Sequence, residues 1–453
     1  MEAFNNLVSV VNGWVWGPYM LVFLVGTGVY LTLRLVFLQV RMLPFALKQA
    51  FGKHPNNDGA EGDVSHFGAL MTALSATIGT GNIVGVATAV VLGGAGAVFW
   101  MWFSAFFGMA TKYAEAVLAV KYRVVNSKGE MSGGPMYYIE RGCNLKWLAI
   151  AFAVFGTIAS FGIGSSVQAN SVAGSLQASF GVEPWITGVV LTVFTGFVVL
   201  GGIQGITKAS SVIVPVMAVV YVLGGLLVIL SNFEAAGAAI AKIFHDAFTW
   251  EAGFGGALGT MIRYGVARGV FSNEAGLGSG PIAAAAAKTD HPGRQALVSM
   301  TGTFLDTMVV CSITGIVLVM GLTLNPTDLV AAGVKGAALT TQTFEFLLPG
   351  FGGYIVTFGL VFFAYSTILG WCYFGEKCSA YVFGDGFVHT YRIVYVATVM
   401  LGTIVSLDLV WNLADTFNGL MAIPNLIGLV LLAGVVVKET KDFVAKRKSG
   451  ELP

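Results

Sequence analysis

The chain has 453 residues, 56% of them hydrophobic and only 10% charged, with a net charge of +1 and a mean hydropathy of +0.80. Soluble domains carry roughly a quarter charged residues, so this composition predicts an all-α integral membrane protein and argues against a nucleic-acid partner, for which no basic, aromatic-interleaved patch is present. The four cysteines, Cys143, Cys311, Cys372 and Cys378, lack metal-site spacing and are expected as free thiols.

The N-terminal M-E-A-F-N-N has an acid where a signal peptide has a basic region and no small-residue cleavage site follows, so the first apolar run is expected to be retained. Apolar runs of about 20 residues fall near 14–38, 66–93, 97–121, 147–176, 184–203, 211–231, 257–287, 296–322, 346–375, 390–407 and 410–437, which predicts eleven transmembrane helices. Residues 1–65 then hold an extra first helix and a polar link with P-N-N-D-G-A-E-G-D, and Tyr122 to Leu145 is a second polar loop. In the stretch 232–256, Ile240, Ile243, Phe244 and Phe248 recur at near-helical spacing, which is read as a covering helix in preference to one lying along the membrane interface. Residues 438–453 form a basic tail. With the N-terminus outside, the cytoplasmic side collects twenty Lys and Arg between Arg34 and Lys448, against Lys242 and Lys335 outside. That asymmetry fixes the expected orientation, with the C-terminus cytoplasmic.

Two of the runs contain poor helix material. S-A-T-I-G-T-G-N (75–82) lies in the second span and R-G-V-F-S-N-E-A-G-L-G-S-G-P (268–281) in the seventh, although Gly costs about 1 kcal/mol against Ala in a helix interior. Equivalent spans five helices apart have opposite orientation, so the pattern predicts an inverted five-helix repeat, spans 2–6 (66–231) and 7–11 (257–437), each with a broken first helix. Close helix packing through Gly81-x-x-x-Gly85 explains one such stretch, but poorly explains two at matched places.

A break in mid-membrane must line a cavity or meet a ligand. The half-helix opening near Gly81 and Asn82 offers N–H groups to a carboxylate, and the one ending at Ser75–Ile78 offers carbonyls to Na+ or an ammonium; together they suit a zwitterion. Glu274 lies inside the second break, either as a functional group or, the favoured reading, as an internal partner of Arg268 or Arg263. Lys112 and Glu115 are read as a snorkelling pair, and Asp306 equally as a gating or cation-attracting acid and as a hydrogen-bonded core acid. Gln168 and Asn170 interrupt the fourth span. Ser366, Thr367 and Trp371 lie in the ninth, where paired hydroxyls facing the first break would complete an oxygen shell. The five histidines, His54, His66, His245, His291 and His389, fall in loops or at span ends and no hydrolase or zinc motif occurs, so an enzyme is not expected. Alternating access suits the two unlike breaks better than a channel, while uniport stays open.

G-T-G-N-I-V-G (79–85), G-G-P-M-Y-Y-I-E-R-G (133–142) and G-V-F-S-N-E-A-G-L-G-S-G (269–280) resemble the signatures of the alanine or glycine:cation symporter family over nearly the whole chain. The resemblance implies a leucine-transporter-like fold and Na+- or H+-coupled uptake of small neutral amino acids such as alanine and glycine across a prokaryotic cell membrane, with no cofactor beyond the coupling ion. It also implies an Na+ site on the carbonyls of Ser75, Ile78 and Phe363 and the hydroxyls of Ser366 and Thr367, one sodium being expected. Substrate contacts are implied for Thr77, Gly79, Thr80, Gly81 and Asn82, for Gln168 opposite, for Phe271, Ser272 and Asn273 in the second break, and for Thr367 and Trp371.

Overall fold

Helix is the backbone state that satisfies its own polar groups in hydrocarbon, and each of the apolar runs contains one. The computed structural model describes residues 2–52, 61–248, 257–325, 334–405 and 408–452. Most of the P-N-N-D-G-A-E-G-D link, with His54, and the end of the 232–256 stretch lie outside the described residues. The chain opens with α1 (Glu2–Val15), α2 (Pro18–Arg34), α3 (Leu38–Arg41) and α4 (Leu43–Phe51).

A long helical series follows. α5 (His66–Thr77) and α6 (Val84–Gly93) are one run bent by 58° at residues 78–83. Then come α7 (Ala97–Lys121), a hairpin of β1 (Val124–Val125) and β2 (Met131–Ser132), α8 (Pro135–Cys143), and α9 (Lys146–Ala159) joined to α10 (Val167–Phe180) through a π-helical stretch, Ser160–Ser166. α11 (Pro184–Leu200), α12 (Gly202–Ser231) and α13 (Phe233–Phe248) end the series. α13 buries Ile243 and sets Phe244 and Phe248 against Phe99, while Phe233, Phe244 and Phe248 stay exposed.

A second series has the same order. α14 (Ala257–Asn273) and α15 (Gly280–Ala285) are parted by residues 274–279, and α16 (Pro292–Thr303) joins α17 (Ser312–Leu324) through π-helical Phe304–Cys311. α18 (Gly336–Leu347), α19 (Gly352–Phe383), α20 (Val388–Ile404), α21 (Asp408–Leu431) and α22 (Ala433–Ser449) complete it. Among the described residues, seven helical runs are long and apolar enough to cross a membrane, and the bent α5–α6 pair makes an eighth.

The outer surface suits a bilayer. On α12, Val212, Val216, Val219, Leu223 and Leu230 are exposed, while Val214, Met217, Tyr221 and Val228 are buried on the other stripe. Extended exposed apolar faces of this kind mark lipid contact. All four cysteines are free.

One end of the bundle is tied across both series. Asp63 and Val64 N–H donate to Ala286 O at 2.8 and 3.1 Å, and Lys288 N–H donates to Val64 O at 2.7 Å. Arg123 donates to the carbonyls of Ala285 (3.1 Å), Ala287 (2.7 Å) and Glu61 (2.8 Å). The segment entering α5 and the one leaving α15 are thereby held together.

Candidate substrate and cation site

α5 stops at Thr77 because Ile78 leaves the helical region (φ −77°, ψ 92°), and Gly79 follows at φ −143°, ψ −147°. Gly79 is there for space. A Cβ on it would lie 2.4 Å from Thr367 Oγ1 and 3.3 Å from Gln168 Oε1. Gln168 follows the π-helical stretch of the α9–α10 run; its Nε2 donates to Ile163 O at 3.0 Å and its Oε1 accepts Thr80 N–H at 3.3 Å. Asn82 Oδ1 accepts Gly79 N–H at 2.9 Å. Both acceptors are neutral amides. Thr80 Oγ1 is buried with no hydrogen-bond partner among the described residues, whereas the Thr77 hydroxyl turns back to Ala73 O and Leu74 O at 3.3 Å each.

α19 runs against α5, and Gly370 permits the approach, since a Cβ there would meet Ala76 N and Ser75 Oγ at 2.7 Å. Ser366 Oγ donates to Phe363 O (2.9 Å) and Ser75 O (3.3 Å), and Thr367 Oγ1 donates to Phe363 O (3.0 Å) and Ile78 O (3.3 Å). The three carbonyls and two hydroxyls expected from the sequence to act together are thus brought together, all on buried residues. An uncharged all-oxygen set of this kind fits a hard cation, for which the two hydroxyls need only rotate their protons outward.

The second break departs further from helix. Glu274 (φ 56°), Gly276 (φ 90°) and Gly278 (φ 86°) all occupy the left-handed region, where a side chain costs about 1–2 kcal/mol. A Cβ on Gly278 would also meet Phe152 and Pro135 at 2.7 Å. Gly278→Ala is therefore expected to lower the melting temperature of the purified protein by several degrees, read by thermal unfolding in detergent.

The first break touches the end of α14 that leads into the second. A Cβ on Gly81 would lie 3.1 Å from Ser272 Cα. Asp306 joins them, its Oδ1 accepting from Asn82 Nδ2 at 2.7 Å and its Oδ2 from Ser272 Oγ at 2.9 Å and Thr307 Oγ1 at 2.8 Å. Asn273 Nδ2 donates to Thr307 Oγ1 at 3.0 Å. Asp306 is buried and hydrogen-bonded, and Asn82, Ser272 and Asn273 face it and its neighbour.

Two expectations are corrected. Glu274 pairs with neither Arg268 nor Arg263: its carboxylate accepts from Trp371 Nε1 at 2.8 Å and from Ser279 Oγ. Arg268 lies 3.8 Å from Asp415 Oδ2 and Arg263 sits over the Tyr264 ring. Six residues along a helix already place Arg268 and Glu274 on well-separated faces, and eleven residues put Arg263 about three turns away. Lys112 and Glu115 do not snorkel either, being 3% and 0% exposed. Lys112 Nζ donates to Glu274 O at 3.3 Å. Asn170 is placed apart from the first break, donating to Gly402 O at 3.0 Å.

Comparison with known proteins decides what this arrangement belongs to. Residues 1–453 match the profile of the sodium:alanine symporter family. The chain belongs to that family. It is 62% identical to the sodium/alanine symporter AgcS of Methanococcus maripaludis, over 98% of each chain. It is 52% identical to an uncharacterized transporter of Haemophilus influenzae over 98% of this chain and 97% of that one, and 36% identical to the probable sodium/glutamine symporter GlnT of Bacillus subtilis over 100% and 93%. Among solved structures, a Na+-coupled sialic acid symporter in a substrate-bound outward-open state shares the fold, with a TM-score of 0.53, 13% identity, and coverage of 94% of this chain and 86% of that one.

In this member of the sodium:alanine symporter family a cavity of about 450 Å3 opens at the end opposite Arg123, lined by Val84, Asn170, Ser175, Thr341, Gln342 and Trp411. Trp411 stacks on Phe271 at 6.4 Å between ring centroids, and the Arg268 guanidinium lies 5.4 Å from the Phe271 centroid. Asp415 is steadied from α1 and the turn after it, by Asn12 Nδ2 to its Oδ2 (3.4 Å) and Trp16 Nε1 to its backbone O (3.0 Å). Sequence reasoning missed Asp415, whose partners come from distant segments.

Proposed function

We propose that this symporter moves a small neutral amino acid, alanine or glycine, together with one Na+ by alternating access across a prokaryotic cell membrane. The observation that carries the reading is the convergence of five neutral oxygens, from Ser75, Ile78, Phe363, Ser366 and Thr367, directly beside the Gly79 break. The cation occupies those oxygens. The substrate carboxylate takes the backbone of Gly79–Gly81 and the Thr80 hydroxyl, with Gln168 and Thr367 closing in on Gly79 and leaving room for a small side chain only.

The matched order of the two helical series supports an inverted repeat of spans 2–6 and 7–11: a broken helix, a long helix, a short one (α8, α18), three further spans and a trailing helix (α13, α22). The excess of Lys and Arg on one side supports an outside N-terminus, eleven spans and a cytoplasmic C-terminus. In that orientation the 450 Å3 cavity faces outward and the Arg123 tie closes the cytoplasmic side.

Purified protein in liposomes provides the test. An inward Na+ gradient is expected to accumulate labelled alanine above equilibrium, and the accumulation to vanish when the gradient is collapsed. Equilibration without accumulation would leave uniport, and dependence on a proton gradient instead would move the coupling to H+.

A further inference from the structure

The two breaks differ in what they offer an anion. At the first, the Gly79 and Thr80 N–H groups meet neutral oxygens of Asn82 and Gln168. At the second, left-handed Glu274, Gly276 and Gly278 shape the backbone into a concavity of the kind that cradles anions. Gly276 N–H and Gly278 N–H both point at one atom, Glu115 Oε1, at 3.1 Å each. Asn425 Nδ2 donates to that same oxygen at 2.6 Å and to Gly276 O at 2.9 Å. The Tyr138 hydroxyl donates to Asn425 Oδ1, so α7, α8 and α21 all hold this point. Glu115 is fully buried, and its Oε2 has no hydrogen-bond partner among the described residues.

We infer that Glu115 is the resident anion of the second break, a positioning residue that fills with its own carboxylate the backbone site that the first break keeps for the carboxylate of the substrate. The inference rests on the proposed substrate site at Gly79–Gly81 and adds why one break binds ligand and the other does not. Its route to the substrate is short. The backbone that Glu115 clamps leads back to Ser272, whose Cα lies against Gly81. The five-oxygen cation set sits on α5 and α19 and makes no bond to residues 274–279 among those described.

The test uses the full chain, purified and reconstituted, with three readings: alanine KM at saturating Na+, thermal stabilisation by Na+ without alanine, and the response to added formate. Glu115→Ala is expected to raise the alanine KM by about tenfold or more, to keep the Na+ stabilisation, and to recover affinity when formate enters the vacated backbone site. A loss of packing alone would not respond to formate. An unchanged KM, loss of the Na+ response together with alanine affinity, or failure of formate to restore it would each overturn the inference. If that variant does not survive purification, the isosteric Glu115→Gln decides: a raised KM with the Na+ response kept supports the inference, and a KM equal to the parent's overturns it. Failure of the parent protein to bind alanine at all would count instead against the proposed function.

Discussion

Gly79→Val is expected to abolish alanine binding and uptake in proteoliposomes while the purified protein remains folded. The first added carbon lands 2.4 Å from Thr367 Oγ1 and 3.3 Å from Gln168 Oε1, so Thr367 must leave the position in which it bonds Ile78 O and Phe363 O. The two further methyl groups fill the space proposed for the substrate. Overpacking of this kind costs about 1–3 kcal/mol, a small part of what a buried bundle this size can absorb locally, but the loss falls on the site. Gly85→Val is the matched control, since a Cβ on Gly85 has nothing within 4 Å. Labelled alanine uptake, with size-exclusion profiles for folding, separates the two variants. Normal alanine affinity in Gly79→Val would place the binding element elsewhere.

The same contrast settles what the glycines of the first break are for. A small-x-x-x-small packing face requires both residues against a neighbouring helix, yet only Gly81 meets one, at Ser272 of α14, while Gly85 has nothing within 4 Å. The pair is not a packing face.

How much of this was legible follows from what a sequence displays. The first break announced itself because glycine, threonine and asparagine violate helix preference in an apolar run, and Ser366 and Thr367 were visible as adjacent hydroxyls. The π-helical stretch that precedes Gln168 left no signal in composition, because Ser160–Ser166 reads like ordinary helix. Partnerships of charged groups were the least legible. Arg268 stands near Glu274 in sequence, but residues six apart along a helix lie on well-separated faces, and Arg268 finds Asp415 instead. Glu115 finds its partners at Gly276, Gly278 and Asn425, far along the chain. Only the fold could bring these together. Asp306 admits two readings in the sequence for the same reason: its donors, Asn82 and Ser272, come from distant segments.

Ser366→Ala combined with Thr367→Ala is expected to raise the Na+ concentration for half-maximal alanine binding steeply, with the effect shrinking at saturating Na+. Each substitution removes one oxygen from the five-membered set and leaves the carbonyls of Ser75, Ile78 and Phe363 in place. Interactions with a charged group are worth about 1.5–3 kcal/mol each, so a single loss should shift Na+ affinity by about ten- to a hundredfold and the pair by more. Serine loses only its hydroxyl oxygen, and threonine its hydroxyl and one methyl, so little packing volume goes with the two ligand oxygens. The two residues are not equivalent. Thr367 also stands over Gly79, so Thr367→Ala alone should alter alanine affinity at saturating Na+, whereas Ser366→Ala alone should alter Na+ dependence only. Titrations of alanine binding against Na+ for both single variants and the double one resolve this. Unchanged Na+ dependence in the double variant would remove these residues from the ion site, and equal effects of the two singles on alanine affinity would break the proposed division between cation and substrate ligands.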